Sequence, residues 1–335
     1  MIPLSEQILQ QKSWQQQIAS SFRDPIELLQ YLKLTHHSAL VSAMADKNFA
    51  MRVTRDFADC MQPGDPHDPL LRQVLPRHEE TQYDATLNRD PVGDLIAEAR
   101  PGIIHKYRSR ALLITTAACA IHCRYCFRRH FPYQQSTAHS HHLENSLDYL
   151  AHNTDINEVI LSGGDPLTLS DQQLGKLIKQ LESISHLKTL RIHSRLPIIL
   201  PDRLSDDLQQ LLQGCRFKIV LVTHCNHANE ISAKVAKALQ NFNYAGLTML
   251  NQAVLLNGVN NNIETLVNLS QRLFEVNILP YYLHMPDPVE GSLHFQLNKN
   301  ACISLHDQMR KHLPGYLLPQ LVEDIPGSDC KRPPQ

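Results

Sequence analysis

Three cysteines, Cys119, Cys123 and Cys126, stand in the run Cys-Ala-Ile-His-Cys-Arg-Tyr-Cys, directly after an apolar stretch. That spacing gathers three thiolates around one small volume. Three thiolates hold three corners of a four-iron cluster, whereas ordinary electron-transfer clusters take four cysteines. The missing ligand leaves one iron open to bind and activate a small molecule, as the open position of a catalytic metal site does. Zinc is the competing reading, because the Cys-x-x-Cys spacing of Cys123 and Cys126 also suits it. A structural zinc site needs a second ligand pair at a readable spacing. Cys119 could be a third ligand, but no further pair follows.

Other candidate groups are weaker alone. Ser162-Gly163-Gly164-Asp165-Pro166 offers two glycines where a backbone can approach a ligand closely. By itself it is a turn. His224 and Cys225, and then Asn251 and Gln252, put polar groups at the ends of apolar runs. On its own His224 reads as a hydrogen-bonded rim histidine and Cys225 as a small buried residue. Asp287 follows another β-rich run. Lys331 comes seven residues after Asp324, beyond Pro326-Gly327, and spacing alone makes it a solvated terminal lysine. Lys106, Arg108, Arg110, Arg124, Arg128 and Arg129 form a basic cluster that could suggest nucleic acid. It reads instead as local compensation for anionic ligands, since the rest of the chain has no matching excess.

These groups need elements to position them. The first hundred residues read as helical and irregular. Over 14–34 the residues Ile18, Phe22, Ile26, Leu28, Leu29 and Leu32 fall at helical spacing. The Pro/Asp/Gly-rich stretch 62–76 reads as loop. From residue 111 the pattern changes to β-rich runs at 111–116, 158–162, 189–194, 217–223, 246–256 and 278–284. Helical patterns near 142–152, 171–183, 205–212, 230–239 and 263–274 alternate with them, and Ser170 and 201–205 read as helix starts. Six strand-then-helix units imply a parallel sheet, and their regular spacing suggests a barrel or part of one. Ligands of such sheets bind at the C-terminal strand ends, where the cysteine loop and the Gly-Gly run fall. The predicted fold class is α/β, a partial (β/α)6 barrel over 101–288. A helical extension (1–100) precedes it and a short closing segment (289–335) follows.

Composition narrows the function classes. The 335 residues, 42% of them hydrophobic, suffice for a full core. The formal net charge of −1 gives no global field favouring nucleic acid or an anionic membrane. Residues 1–22 are polar and Gln-rich without a signal-peptide pattern, and no apolar run has membrane-spanning length. Eight cysteines in a chain this long are no disulfide framework, so a reducing cytoplasm is expected.

With Tyr125 before the last cysteine, the loop resembles the signature of the radical S-adenosylmethionine superfamily. Ser162 to Asp165 is similar to the segment of that superfamily that binds the methionyl ammonium. From about residue 63 to 331 the chain resembles the lysine 2,3-aminomutases. The resemblance rests on Tyr107, Arg110, the cysteine loop with Arg128-Arg129, the run 162–167, Asn251-Gln252, Asp287 and the tail 324–331. It implies an isomerase that moves the α-amino group of L-lysine from C2 to C3, using a [4Fe-4S] cluster on Cys119, Cys123 and Cys126, S-adenosylmethionine and pyridoxal phosphate. Lys331 would hold pyridoxal phosphate covalently, with Tyr107 and Arg110 in its pocket and Arg110 near its phosphate. Arg128 would pair with the substrate carboxylate, and Asp287 and Asp324 with its side-chain ammonium. Ser162, Gly163, Gly164, Asp165, His224 and Gln252 would line the S-adenosylmethionine pocket.

The chain also departs from the family. Lys106 stands where arginine is common, and Ser328, Asp329 and Cys330 where many relatives have glycines. The short tail and the run from Cys126 to Tyr133 resemble the branch that makes (R)-β-lysine for elongation factor P. In that branch a lysyl-tRNA-synthetase-like ligase attaches the product. An external reductant of flavodoxin or ferredoxin type is implied, and a homo-oligomer is compatible with the resemblance. An aminomutase for glutamate or arginine would share the cysteines, but the Asp287 and Asp324 pair argues against glutamate.

Overall fold

The computed structural model describes residues 12–136 and 140–334. Nine strands lie in one sheet in sequential order. They are β1 (Glu98–Arg100), β2 (Ile103–Tyr107), β3 (Arg110–Thr116), β4 (Glu158–Gly163), β5 (Thr189–Ser194), β6 (Lys218–Thr223), β7 (Leu247–Val254), β8 (Leu279–His284) and β9 (Gln320–Val322). The first three form an antiparallel meander, and β3 to β9 run parallel. Helices make the crossovers: α1 (Ser140–His152), α2 (Asp171–Glu182), α3 (Asp206–Gln213), α4 (Ala233–Phe242), α5 (Ile263–Glu275) and α6 (Lys299–His312). Among the described residues no pairing joins β1 to β9, so the sheet stays open.

This is the expected partial barrel, enlarged at both edges. The sequence pattern carries no sign of β1 or β9, because three residues are too few to show a period. Helix α6 is equally silent, since only Cys302 and Met309 in it are buried. Ser170 starts α2 in a capping box with Gln173, and Ser205 caps α3. The helical spacing over 14–34 overreaches. Two short helices, Trp14–Ala19 and Pro25–Tyr31, flank Phe22, whose backbone exchanges hydrogen bonds of 2.8 and 3.0 Å with Val53. Asp24 then caps the second helix with Pro25 at its first position, where a missing N–H costs nothing. Phe22, Leu28, Leu29 and Phe57 belong to the same core as Leu113, Leu161, Ile192 and Leu221 of the sheet.

The strand period of two separates the faces. Leu113, Leu161, Leu190, Ile192 and Leu221 are buried in the core. The alternate residues face inward: Arg110 and Leu112, Ile160 and Ser162, Arg191 and His193, Gln252 and Val254, Tyr282 and His284 all line one cavity. A closed eight-stranded barrel fills this space with stacked side chains. Here an open sheet leaves about 260 Å³ free, running from the C-terminal strand ends down to Arg110. No described helix is long and apolar enough to cross a membrane.

Candidate active site in the sheet interior

The cysteine loop leaves β3 at its C-terminal end and is strapped from behind by the N-terminal extension. Arg52 donates to the Cys119 carbonyl at 2.8 Å, the His122 N–H donates to the Arg52 carbonyl at 3.0 Å, and the Arg124 N–H donates to the Gln73 carbonyl at 2.9 Å. Arg124 is fully buried and grips Glu80 through Nε and Nη2 at 2.8 and 2.6 Å. Arg129 reaches the same carboxylate at 2.9 Å. Two guanidiniums on one buried carboxylate leave a positive surplus beneath the loop, which suits the anionic ligands gathered there.

The Gly-Gly run ends β4 beside this loop. Gly164 N–H donates to the Thr116 carbonyl at 2.7 Å and Asp165 N–H to the Ala118 carbonyl at 2.8 Å. Gly163 has φ +116°, and a Cβ there would lie 2.7 Å from the Thr116 oxygen. A Cβ on Gly164 would collide with the Ala118 carbonyl oxygen, which is backbone and cannot step aside. Gly164→Ala is therefore expected to cost more than the roughly 1–3 kcal/mol of ordinary overpacking. Thermal unfolding and iron content after reconstitution check it; wild-type values for both would refute it. The Asp165 carboxylate is fully engaged inside the protein, accepting from Leu167 N, Ser194 Oγ, Arg195 N and Leu196 N at 2.7–3.1 Å. It ties the end of β4 to the end of β5. Ser162, Gly163, Gly164 and Asp165 of this run all line the cavity.

Deeper in, the tail brings Lys331 to the cavity wall. Glu323 and Arg332 form an antiparallel bridge, with N–H···O distances of 2.8 and 3.2 Å. The bridge closes the loop 324–331 on itself, with Gly327 at φ +77° in its turn. Asp324 and Lys331 are thereby set face to face, with Nζ 2.5 Å from Oδ2. Tyr107 Oη donates to the other oxygen at 3.4 Å. The Arg110 guanidinium stacks on the Tyr107 ring at 4.4 Å and, among the described residues, meets no carboxylate. Asp287 lies in the same cavity, where desolvation pushes its carboxyl up to about 7. Arg128 is held from two sides, Nε to Asp94 at 2.7 Å and Nη1 to Ser162 Oγ at 3.0 Å. Lys106 also turns to Asp94, at 2.6 Å.

His224 and Gln252 meet at 2.8 Å. Burial, with Arg195 and Arg128 nearby, brings the imidazole down to about 3, so a neutral Nε2 accepts from the Gln252 amide. Asn251 is structural, bonded to Thr223 and to both backbone groups of Cys225. Cys225 is buried, as expected of a small apolar residue.

A family model described as a 4Fe-4S single cluster domain matches residues 109–194, which contain all three cysteines. The L-lysine 2,3-aminomutase of Escherichia coli is 42% identical over 96% of this chain and 94% of its own. That of Haemophilus influenzae is 41% identical over 99% and 98%. The chain belongs to the lysine 2,3-aminomutase family. The enzyme of that name from Clostridium subterminale is 33% identical over 96% of this chain and 77% of its own. Among solved structures, a radical SAM methyltransferase from Sphaerobacter thermophilus superposes on 66% of this chain and 68% of that one. The TM-score is 0.46 and the identity 13%.

As a member of the aminomutase family the protein is an isomerase, and its donor set fits a cluster. Burial pushes Cys126 up to about 11 and Cys119 well above the ordinary thiol range, with the neighbouring thiolates adding to both shifts. Such a trio is stable as thiolates only around a strong positive charge, which iron supplies. A single zinc ion needs its ligands at one point, and no three His, Cys, Asp or Glu side chains among the described residues converge that way.

Several cavity residues of this aminomutase belong to no motif: Asp94, Arg191, His193, Tyr282 and His284. The signal that could find four of them is the strand alternation itself. In Leu190-Arg191-Ile192-His193 a polar residue takes every second place in a strand whose other face is buried. His193 Nε2 is buried and meets no partner among the described residues, so it is placed for a ligand.

Proposed function

We propose that this aminomutase converts L-lysine to (R)-β-lysine by moving its amino group from C2 to C3. One observation carries the reading: Lys331, Asp324, Asp287, Arg128 and the three cysteines all line a single cavity. The curated relatives that match nearly the whole chain are L-lysine 2,3-aminomutases. When bound, the cluster and S-adenosylmethionine supply hydrogen abstraction, and pyridoxal phosphate carries the migrating amino group.

The chain's own residues bind and orient. Lys331 holds the pyridoxal, and the unpaired Arg110 with Tyr107 takes its phosphate. Arg128, which lines the cavity, takes the substrate carboxylate, while Asp94 and Ser162 fix its guanidinium. Asp287 and Asp324 take the lysine side-chain ammonium, which selects against apolar and acidic substrates because a wrong side chain leaves buried charge unpaired. Ser162, Gly163, Gly164, His224 and Gln252 line the S-adenosylmethionine side, with Asp165 holding their strands in register.

Supply of β-lysine to a ligase acting on elongation factor P, and hence the (R) configuration, rests on the likeness of the Cys126–Tyr133 run and the tail to that branch. Eight unpaired cysteines suit a reducing cytoplasm, with a flavodoxin- or ferredoxin-type donor. The test is anaerobic reconstitution with iron, sulfide and pyridoxal phosphate. Incubation with S-adenosylmethionine, reductant and lysine, arginine or glutamate follows, with chiral analysis of products. (R)-β-lysine from lysine is expected. Faster conversion of arginine or glutamate would overturn the substrate, and the (S) product would overturn the branch.

A further inference from the structure

We infer that Arg195 sets the reduction potential of the cluster by donating to the sulfur of Cys123. Arg195 follows the last residue of β5, and its backbone N–H is fixed by Asp165 at 2.8 Å. Its Nη1 donates to Cys123 Sγ and to Tyr125 Oη, both at 2.7 Å. Its Nη2 donates to Gln73 Oε1 at 2.8 Å and to Glu230 Oε2 at 3.0 Å. Among the described residues no side chain donates to the sulfur of Cys119 or Cys126. The three ligands are therefore unlike, and one alone carries a cationic donor.

The carboxylate and carboxamide behind Arg195 stand outside the cavity. Glu230 and Gln73 are fully buried and do not line the cavity. Glu230 also accepts from Gln73 Nε2 and from the N–H groups of Asn226 and His227, at 3.0–3.1 Å. Tyr125 Oη takes a second bond from Asn226 at 2.7 Å. A buried Arg–Glu pair contributes little to stability, since an apolar replacement of the same shape serves as well. What this pair does is hold a guanidinium, charged at any working pH, against one thiolate.

The consequence is electrostatic. Reduction adds one electron, taken from the external reductant, to the cluster and its thiolates. No proton moves on Arg195. Hydrogen bonds to ligand sulfurs and nearby positive charge favour the reduced state, so they raise the potential. Arg195 is thus a positioning residue, acting through Cys123 rather than on substrate. The inference rests on the cluster and not on which amino acid is rearranged.

The test is an anaerobic redox titration of the full-length reconstituted protein without S-adenosylmethionine, read by electron paramagnetic resonance of the reduced cluster. Arg195→Met is expected to keep its iron and become about tenfold harder to reduce, a negative shift of about 59 mV for one electron. Arg195→Lys keeps the charge with a poorer bond and is expected to shift less, in the same direction. A fully loaded Arg195→Met protein at the wild-type potential overturns the inference. Should Arg195→Met fail to take up iron, Arg195→Lys decides: an unchanged potential in it, with or without loss of iron, means that Arg195 is only scaffold.

Discussion

Lys331→Ala is expected to lose pyridoxal binding and to lower turnover by at least about 10³-fold, while keeping its cluster. The two halves of the site have separate supports. The cysteines are strapped by Arg52, Gln73 and Glu80 of the N-terminal extension, and Lys331 is set by the Glu323–Arg332 bridge at the other end of the chain. Lys331 Nζ pairs with Asp324 Oδ2 at 2.5 Å. It therefore stands where the substrate ammonium would go. Schiff-base chemistry requires the neutral amine, so Lys331 would have to give up its proton to hold pyridoxal. Its Nζ would then no longer neutralise the Asp324 carboxylate, which could pair with another cation. Visible absorbance of pyridoxal, iron content and β-lysine formation check the prediction. A Lys331→Ala protein that retains covalently bound pyridoxal would sink the assignment.

How much of this was legible in the sequence depends on the element. The six inner strands and their crossover helices follow from period and caps, because β3 to β8 carry enough residues to show burial on a face. The three cysteines are legible because cluster ligands must be close in space, and a loop makes them close in sequence. Lys331 is different. Its position opposite Asp324 depends on a two-residue bridge and a Gly327 turn, which leave no period to read. Only resemblance pointed to it. Asp94 was invisible for a similar reason. It sits in an irregular segment and matters through Arg128 and Lys106, which come from elsewhere in the chain. The expectation that ligands bind at the C-terminal strand ends covers the cysteine loop, the Gly-Gly run, and Asp287 and Asp324 just beyond β8 and β9. Tyr107 and Arg110 pair across the β2–β3 turn at the opposite end, and an unclosed sheet leaves the interior open down to them.

Asp287→Asn is expected to raise the KM for lysine by roughly 30- to 100-fold, the loss of one charged hydrogen bond of about 2–3 kcal/mol. Cleavage of S-adenosylmethionine should survive, since among the described residues no hydrogen bond or ion pair joins the Asp287 side chain to the cysteine loop. Equal loss of both activities would count against a role in holding substrate. The pH dependence gives a second reading. Desolvation raises the Asp287 carboxyl from 3.8 to about 7; Asp324 and Asp94 push the same way, and Lys331 and Lys106 oppose. Below about pH 7 the group turns neutral and offers no charge to an ammonium. The wild-type KM for lysine should then rise as pH falls through 7, and the Asp287→Asn profile should be flat there. Stability follows with a defined sign. A carboxyl whose folded value lies above its unfolded one binds more protons when folded, so stability falls as pH rises from about 4 to 7. The penalty is fully present above 7 and reaches at most roughly 4 kcal/mol. Without cofactors, Asp287→Asn should therefore be more stable to urea than wild type at pH 8, with the difference shrinking toward pH 4. A buried carboxylate of this kind lowers stability at working pH, and a bound ammonium would recover it.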